Sequence, residues 1–237
     1  MRHSIGAVLL LLTLAGCNRE DAPAEKLKDA AENLVDQVDG STTAQLPDGL
    51  YAPRNECTTI AGAEAFRKKL ASVVKARDVD GLAALAATDI KLDFGGGSGV
   101  AELRKRLADT DWTLWDELDT LLNLGCAAND QGGITLPWYF DQKIDKIDPM
   151  MGMIVMGQNV PLRDGPGQNS TAVRMLSWDG VELAAGLQPG KPYQNVKLAD
   201  GSLGYVETGK LRSLIAYRLT ATSRDGKWSI ISLVAGD

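Results

Sequence analysis

The sequence has a single histidine, His3, among its 237 residues. Hydrolase triads with an imidazole base and zinc sites built on histidine are therefore excluded once the N-terminus is removed. Basic residues are also scarce: 25 Lys and Arg face 31 Asp and Glu, which leaves a formal net charge of −6 at pH 7. A chain of that charge lacks the basic surface that binds nucleic acid. We expect no catalytic residue, no metal, no cofactor and no nucleic-acid partner.

The sequence also lacks an apolar run of the roughly 20 residues that span a bilayer. The longest one, residues 5–14, follows the charged start formed by Arg2 and His3 and ends in Leu14-Ala15-Gly16-Cys17. This order of charge, apolar core and Leu-Ala-Gly-Cys resembles the lipobox signal of bacterial lipoproteins. The alternative is an ordinary N-terminal helix with a buried cysteine.

The lipoprotein resemblance implies an address in the cell envelope. Residues 1–16 would be a signal peptide, and Cys17 would carry the lipid (fatty acyl chains such as palmitate) as the membrane anchor. Asn18 follows the cysteine where an aspartate would signal retention in the inner membrane. In a diderm cell the resemblance therefore implies the outer membrane, with the protein facing the periplasm.

Residues 17–56 are predicted to form an acidic tether. From residue 18 onward this segment has nine acidic and four basic side chains, and Pro, Ser and Thr interrupt its second half. A short helix fits residues 23–38, with Pro23 in its first turn and Gly40 after its end. Its apolar stripe is narrow, so a solvated spacer is favoured over a helix that docks on a partner.

Two cysteines, Cys57 and Cys126, remain after Cys17, and the sequence has no Cys-x-x-Cys pair. An even pair in the oxidising compartment that the lipobox implies predicts a disulfide. Two free buried thiols are the alternative, and a nucleophilic cysteine is disfavoured because no histidine is left to activate it.

The overall pattern predicts an α+β protein with a helix-rich N-terminal region, a few strands and a small all-β barrel. In residues 57–148, helical spacing alternates with strand patterns over residues 90–94, including Phe94, and over residues 134–140. Trp112 is predicted on the apolar face of a helix that ends near Gly125. The glycine-rich residues 95–99 fit a strand-to-helix loop better than a phosphate cradle, because no Lys-Ser/Thr pair follows them.

Residues 213–237 contain two alternating apolar stretches around Asp225-Gly226, the signature of a β-hairpin. Together with residues 57–148, this hairpin resembles the cone-shaped fold of ketosteroid isomerase and nuclear transport factor two. The resemblance implies that the hairpin completes the first domain, and it raises the alternative of a small-molecule binder or an enzyme. The side chains open to that role are Asp89, Asp93 and Asp116 as bases and Tyr139 as a hydrogen-bond donor.

Residues 149–212 carry the sequence Val160-Pro161-Leu162-Arg163-Asp164-Gly165-Pro166-Gly167, followed by Asp200-Gly201 and Gly204-Tyr205-Val206. These motifs resemble bacterial Src-homology-3-like domains, with Pro161-Leu162 in place of an Asn-Val pair and Tyr205 in place of a tryptophan. The resemblance implies a small barrel that binds peptidoglycan peptides or positions neighbouring domains. Its expected ligand groove would be lined by Arg163, Asp164, Trp178, Tyr193 and Tyr205.

The leading hypothesis is a non-catalytic, lipid-anchored envelope protein that binds peptidoglycan peptide or an envelope protein through the Src-homology-3-like domain. The enzyme or small-molecule binder with a cone-fold pocket is the alternative. A structural assembly factor is the third possibility, and its signature would be an exposed apolar patch.

Overall fold

The computed structural model describes residues 49–236, and this part of the chain is α+β. The predicted signal, Cys17 and most of the tether lie outside the described residues. The four helices are α1 (Ala63–Lys75), α2 (Val79–Leu85), α3 (Val100–Ala108) and α4 (Leu114–Asn123). The strands are β1 (Ala86–Lys91), β2 (Ala127–Ala128), β3 (Ile134–Leu136), β4 (Gly152–Val155), β5 (Val160–Arg163), β6 (Ala172–Leu176), β7 (Gly180–Leu183), β8 (Tyr193–Lys197), β9 (Leu203–Glu207), β10 (Leu211–Ser213), β11 (Arg218–Arg224) and β12 (Lys227–Val234).

Helical spacing of apolar residues explains where the helices pack. In α1, Phe66, Leu70 and Val74 recur on one side and are buried against the first core. The next helix begins where the Asp78 carboxylate accepts a hydrogen bond of 2.9 Å from the backbone N–H of Gly81, which caps α2. No helix in residues 49–236 is both long and apolar enough to cross a membrane.

The first sheet joins strands from both ends of the described chain, in the order β1-β12-β11-β3-β2. The predicted hairpin is confirmed, since β11 pairs antiparallel with β12 around Asp225-Gly226. Its first strand also pairs with β3, with Leu219 opposite Leu136, while β12 pairs in parallel with β1. Apolar residues of these strands and of all four helices form one core, so the terminal hairpin shares both the sheet and the core of residues 57–136.

The second sheet contains seven strands in the order β10-β4-β7-β8-β9-β5-β6. One side of it encloses a separate core that includes Val155, Leu162, Val181, Val196 and Val206. The hydrogen-bonded order is open, with β10 and β6 as its edges, so it does not include the closure that the predicted barrel requires.

A third apolar cluster joins the two sheets. Trp138 and Tyr139 from the turn after β3 pack there with Tyr51 and with Ile154 of β4, and Trp178 lies against them. Tyr51 belongs to the end of the predicted tether, and it is buried in this cluster. The two sheets are therefore fixed to one another by side-chain packing.

Three details of the sequence-based prediction are wrong. Strand β1 ends at Lys91, and Phe94 is 48% exposed in the following loop. Strand β3 ends at Leu136, and a 3-10 turn follows at Trp138–Asp141. Trp112 lies before α4 and is 40% exposed. A cation lies over each of the two rings that were predicted to be in the core. Lys91 lies over Phe94 and Arg106 over Trp112, and this contact takes the place of burial.

The predicted disulfide between Cys57 and Cys126 is present, with a Cα–Cα distance of 5.8 Å. Both cysteines are fully buried in the first core. Next to the disulfide, the backbone N–H of Glu56 donates a hydrogen bond of 2.9 Å to the carbonyl oxygen of Cys126. The disulfide thus fixes the segment that leads into α1 to the segment that follows α4.

Replacing both cysteines, Cys57→Ala with Cys126→Ala, should lower the free energy of unfolding. The disulfide closes a loop with a sequence separation of 69, for which the chain-entropy model gives about 4 kcal/mol. Urea unfolding followed by far-ultraviolet circular dichroism measures the loss. Addition of a reductant should lower the midpoint of the wild type and leave the double variant unchanged, and equal midpoints of wild type and variant without reductant would contradict the prediction.

Candidate functional site

The candidate site lies on the outer side of the second sheet, where strands β5, β8 and β9 are neighbours. Successive side chains of a strand point to opposite faces. Leu162, Val196 and Val206 are buried in the core, and the residues that alternate with them face outward. Three of the five predicted groove residues belong to this outward set: Arg163, Tyr193 and Tyr205.

The strand register places these three side chains in adjacent rows. Arg163 of β5 lies opposite Tyr205 of β9, and Tyr205 lies opposite Asn195 of β8. In the next row Tyr193 lies opposite Glu207. The result is a partly exposed patch that contains two tyrosines and an arginine.

A cleft of about 250 Å³ opens beside this patch. Arg163 and Tyr193 line it together with Glu207 and Lys210. Its far wall is the loop between β4 and β5, which contributes the following residues: Met156, Gly157, Gln158 and Asn159. The cleft therefore offers two cations, one carboxylate and side-chain amides beside an aromatic ring, a combination suited to a ligand that carries both charges.

Arg163 also shapes the loop after β5. Its guanidinium group donates a hydrogen bond of 2.7 Å to the backbone carbonyl of Ser170. The Asp164 carboxylate accepts one of 2.9 Å from the backbone N–H of Thr171. Asp164 thus closes the loop of residues 164–171 and does not line the cleft.

Trp178 does not line the cleft, because its side chain packs against the cluster between the two sheets. Its backbone N–H donates to the carbonyl of Gly157, and its own carbonyl accepts from the N–H of Tyr51. The structure therefore brings together Arg163, Tyr193 and Tyr205 and leaves Asp164 and Trp178 to structural roles.

Sequence reasoning missed Glu207 and Lys210. Glu207 is two residues beyond Tyr205 on β9, so strand alternation alone would have placed it on the same face. Lys210 follows in a short 3-10 turn before β10, and no periodic pattern points to it.

On the edge strand of the sheet, Arg174 pairs with Asp200 at 2.8 Å. The Ser202 hydroxyl and backbone N–H, with Arg174, lower the pKa of Asp200 to about 2.

The side chains proposed for a cone-fold enzyme do not share a site. Asp89 is exposed on β1, and Asp116 at the start of α4 pairs with Arg77 at 2.9 Å. Tyr139 is buried in the cluster between the sheets, and this burial raises the pKa of its hydroxyl. Among residues 49–236, no group of three His, Cys, Asp or Glu side chains is arranged to hold a metal ion.

Asp93, the third carboxylate, organises the glycine-rich loop. The predicted strand-to-helix loop is confirmed, since residues 95–99 connect β1 to α3. Its N–H groups at Gly95 and Gly97 donate to the Asp93 carboxylate at 2.8 and 2.7 Å. The Arg106 guanidinium, together with these two N–H groups, lowers the pKa of Asp93. The Asp93 carboxylate therefore accepts hydrogen bonds from the backbone N–H groups that a phosphate would need.

Arg106 is the buried partner in this arrangement, with only 5% of its surface exposed. It pairs with Asp93 and with Glu102, and it donates a hydrogen bond of 2.7 Å to the carbonyl of Leu92. A Cβ at Gly97 would collide with the ends of the Asp93 and Arg106 side chains, so glycine at this position lets the two groups pair close to the backbone. Arg106 thus holds the loop against α3.

The variant Arg106→Met should be less stable than the wild type by about 3 kcal/mol, because it leaves a carboxylate and a carbonyl without their buried partner. Urea unfolding measures the change. The matched control is Lys105→Met on the same helix, whose side chain is 77% exposed, and it should stay within about 0.5 kcal/mol of the wild type. Equal unfolding midpoints for the two variants would show that Arg106 is not structural.

No protein-family model, curated protein or solved structure matches this chain. The candidate site is therefore defined by its own geometry, the patch of Arg163, Tyr193 and Tyr205 and the adjoining cleft with Glu207 and Lys210.

Proposed function

We propose that this chain is a non-catalytic, lipid-anchored protein of the cell envelope that binds peptidoglycan peptide through its second sheet. The observation that carries the proposal is the outward patch of Arg163, Tyr193 and Tyr205 beside a cleft that contains Glu207 and Lys210. The alternative ligand is an envelope protein that presents a peptide with the same chemical groups.

The chemistry of the patch suits a short peptide. Tyrosine rings supply contact area with little loss of side-chain entropy, and Tyr and Arg are enriched among residues that dominate binding. Arg163 and Lys210 can pair with a carboxylate of the ligand, while Glu207 can pair with an amine. Their common cleft, about 250 Å³, has room for one or two residues of a peptide.

The arrangement of strands supports a Src-homology-3-like module. Strands β7, β8 and β9 follow one another as antiparallel neighbours, and β5 lies beside β9. Closure of the open sheet into a small barrel is part of this proposal. The barrel would present the patch on its outer surface.

The lipid anchor belongs to the same proposal. Lipidation at Cys17, with anchoring in the outer membrane of a diderm cell, rests on the lipobox resemblance. The disulfide between Cys57 and Cys126 supports an oxidising compartment, because such bonds are rare in the cytosol. Residues 18–48, the part of the predicted tether that precedes the described residues, would span on the order of 100 Å if fully extended, far enough to approach the wall from the membrane.

Co-sedimentation with purified peptidoglycan tests the proposal, with the soluble chain of residues 18–237. The wild type should sediment with the wall, and Tyr193→Ala should weaken binding about tenfold, as expected for an aromatic residue that dominates contact. Arg163→Ala should weaken it as well. The matched control is Arg174→Ala, an exposed arginine of the same sheet that is absent from the lining of the cleft.

The variants separate binding at the patch from attraction by charge, and the wild type tests binding to the wall. Loss of binding in Tyr193→Ala and Arg163→Ala with retention in Arg174→Ala supports the patch as the binding site. An equal loss in Arg163→Ala and Arg174→Ala, with binding retained in Tyr193→Ala, would indicate attraction by charge alone. No sedimentation of the wild type at low salt would refute wall binding and leave an envelope protein as the partner to seek.

A further inference from the structure

A second cleft, of about 420 Å³, lies on the first sheet, and neither the peptide patch nor the assembly of the two sheets uses it. Its floor is a row of three hydroxyl-bearing residues on adjacent strands. Thr135 of β3 lies opposite Thr220 of β11, and Thr220 lies opposite Ser232 of β12. Thr220 alternates with Leu219 and Ala221, which are buried in the core under the helices, so it faces the other side of the sheet.

An aromatic ring forms one wall of this cleft. Phe140, in the 3-10 turn after β3, is 38% exposed. The same ring lines an apolar cleft next to it, and there the Arg218 guanidinium lies 4.5 Å from the ring centroid. Arg218 lines that apolar cleft and is absent from the lining of the cleft with the hydroxyl row.

Polar groups at the rim are available to a ligand. The side chains of Asp130, Gln131 and Asp141 line the cleft and are exposed. In residues 49–236 these three side chains, and those of Thr220 and Ser232, form no hydrogen bond or ion pair with another protein group. The described residues contribute no Lys or Arg to the lining. The cleft thus offers hydroxyl, amide and carboxylate groups around one ring.

This set of groups selects against most ligand classes. Two carboxylates without a cation disfavour phosphates and other anions. The described residues contain no group of ligands for a metal ion. The hydroxyl row and the rim keep the cleft too polar for an acyl chain, because such a chain would leave their polar groups buried without partners.

We propose that this cleft binds a neutral carbohydrate. Sugar hydroxyls donate and accept hydrogen bonds at once, which matches hydroxyl groups on the floor and amide and carboxylate oxygens at the rim. The apolar face of a sugar ring would pack against Phe140. This contact would bury the C–H groups of the sugar, which do not form hydrogen bonds with the polar groups of the cleft. The site does not depend on the peptide patch, and it would give the protein a second contact, with a glycan.

Titration of the soluble chain, residues 18–237, with chitotetraose tests the proposal, with maltotetraose as a second neutral probe of different linkage. Amide shifts in a nitrogen–proton correlation spectrum should change around Thr135, Thr220 and Ser232. Phe140→Ala should weaken binding about tenfold, and Thr220→Val, which removes one hydroxyl at nearly constant volume, should weaken it several-fold. The matched control is Phe94→Ala, whose ring also lies near Arg218, at 5.5 Å, but outside the cleft.

Binding of either oligosaccharide that is weakened in Phe140→Ala and Thr220→Val and retained in Phe94→Ala supports the proposal. Two results would overturn it: no shift with either probe at about 5 mM, or binding that Thr220→Val leaves unchanged. The probes contain no peptide, so their failure leaves the proposed wall-peptide function untouched, and failure of the peptide patch leaves this site untouched.

Discussion

The pairing of β4 with β10 is the constraint on which the rest of the structure depends. These strands are the first and the last of the second sheet, and their antiparallel register, Met153 opposite Ser213 and Val155 opposite Leu211, brings the two ends of the module together. The chain can therefore leave the first sheet after β3 and return to it as β11. Arg212 of β10 reinforces the return, because it pairs with Glu117 of α4 at 3.0 Å.

With β4 and β10 paired in this way, the outer face of the second sheet has one part that is covered by the first sheet and one part that is open. Near β4 and β7 the outer face is covered, and a Cβ at Gly180 would lie 2.6 Å from Cδ1 of Ile147. Further along the strand order, at β8, β9 and β5, Tyr193, Tyr205 and Arg163 remain partly exposed. Packing against the first sheet thus fixes the orientation of the module while the face proposed to bind a ligand stays open, an arrangement that would limit the entropy lost on binding.

Local patterns were enough to predict part of the fold and part of the site. The α+β class, the disulfide and the terminal hairpin follow from periodicity, an even cysteine pair and an Asp-Gly turn. Strand alternation also explains why Arg163 and Tyr205 share a face. Trp178 could not be assigned this way, because its side chain packs against elements far away in sequence. Phe94 and Trp112 were misassigned for a related reason, since cations from other elements cover rings that a pattern treats as core.

The charge of the chain bears on how both proposed sites would work. A net charge of −6 gives no long-range attraction for acidic ligands, so affinity must come from contacts within a few ångströms. The two proposed sites are suited to this in different ways. Arg163 and Lys210 place cations next to tyrosine at the peptide patch, whereas the described lining of the cleft at Phe140 contains no Lys or Arg and would rely on hydrogen bonds and ring contact. Ionic strength should therefore affect the peptide patch and have little effect on the carbohydrate cleft, because salt screens ion pairs more than it weakens hydrogen bonds between neutral groups.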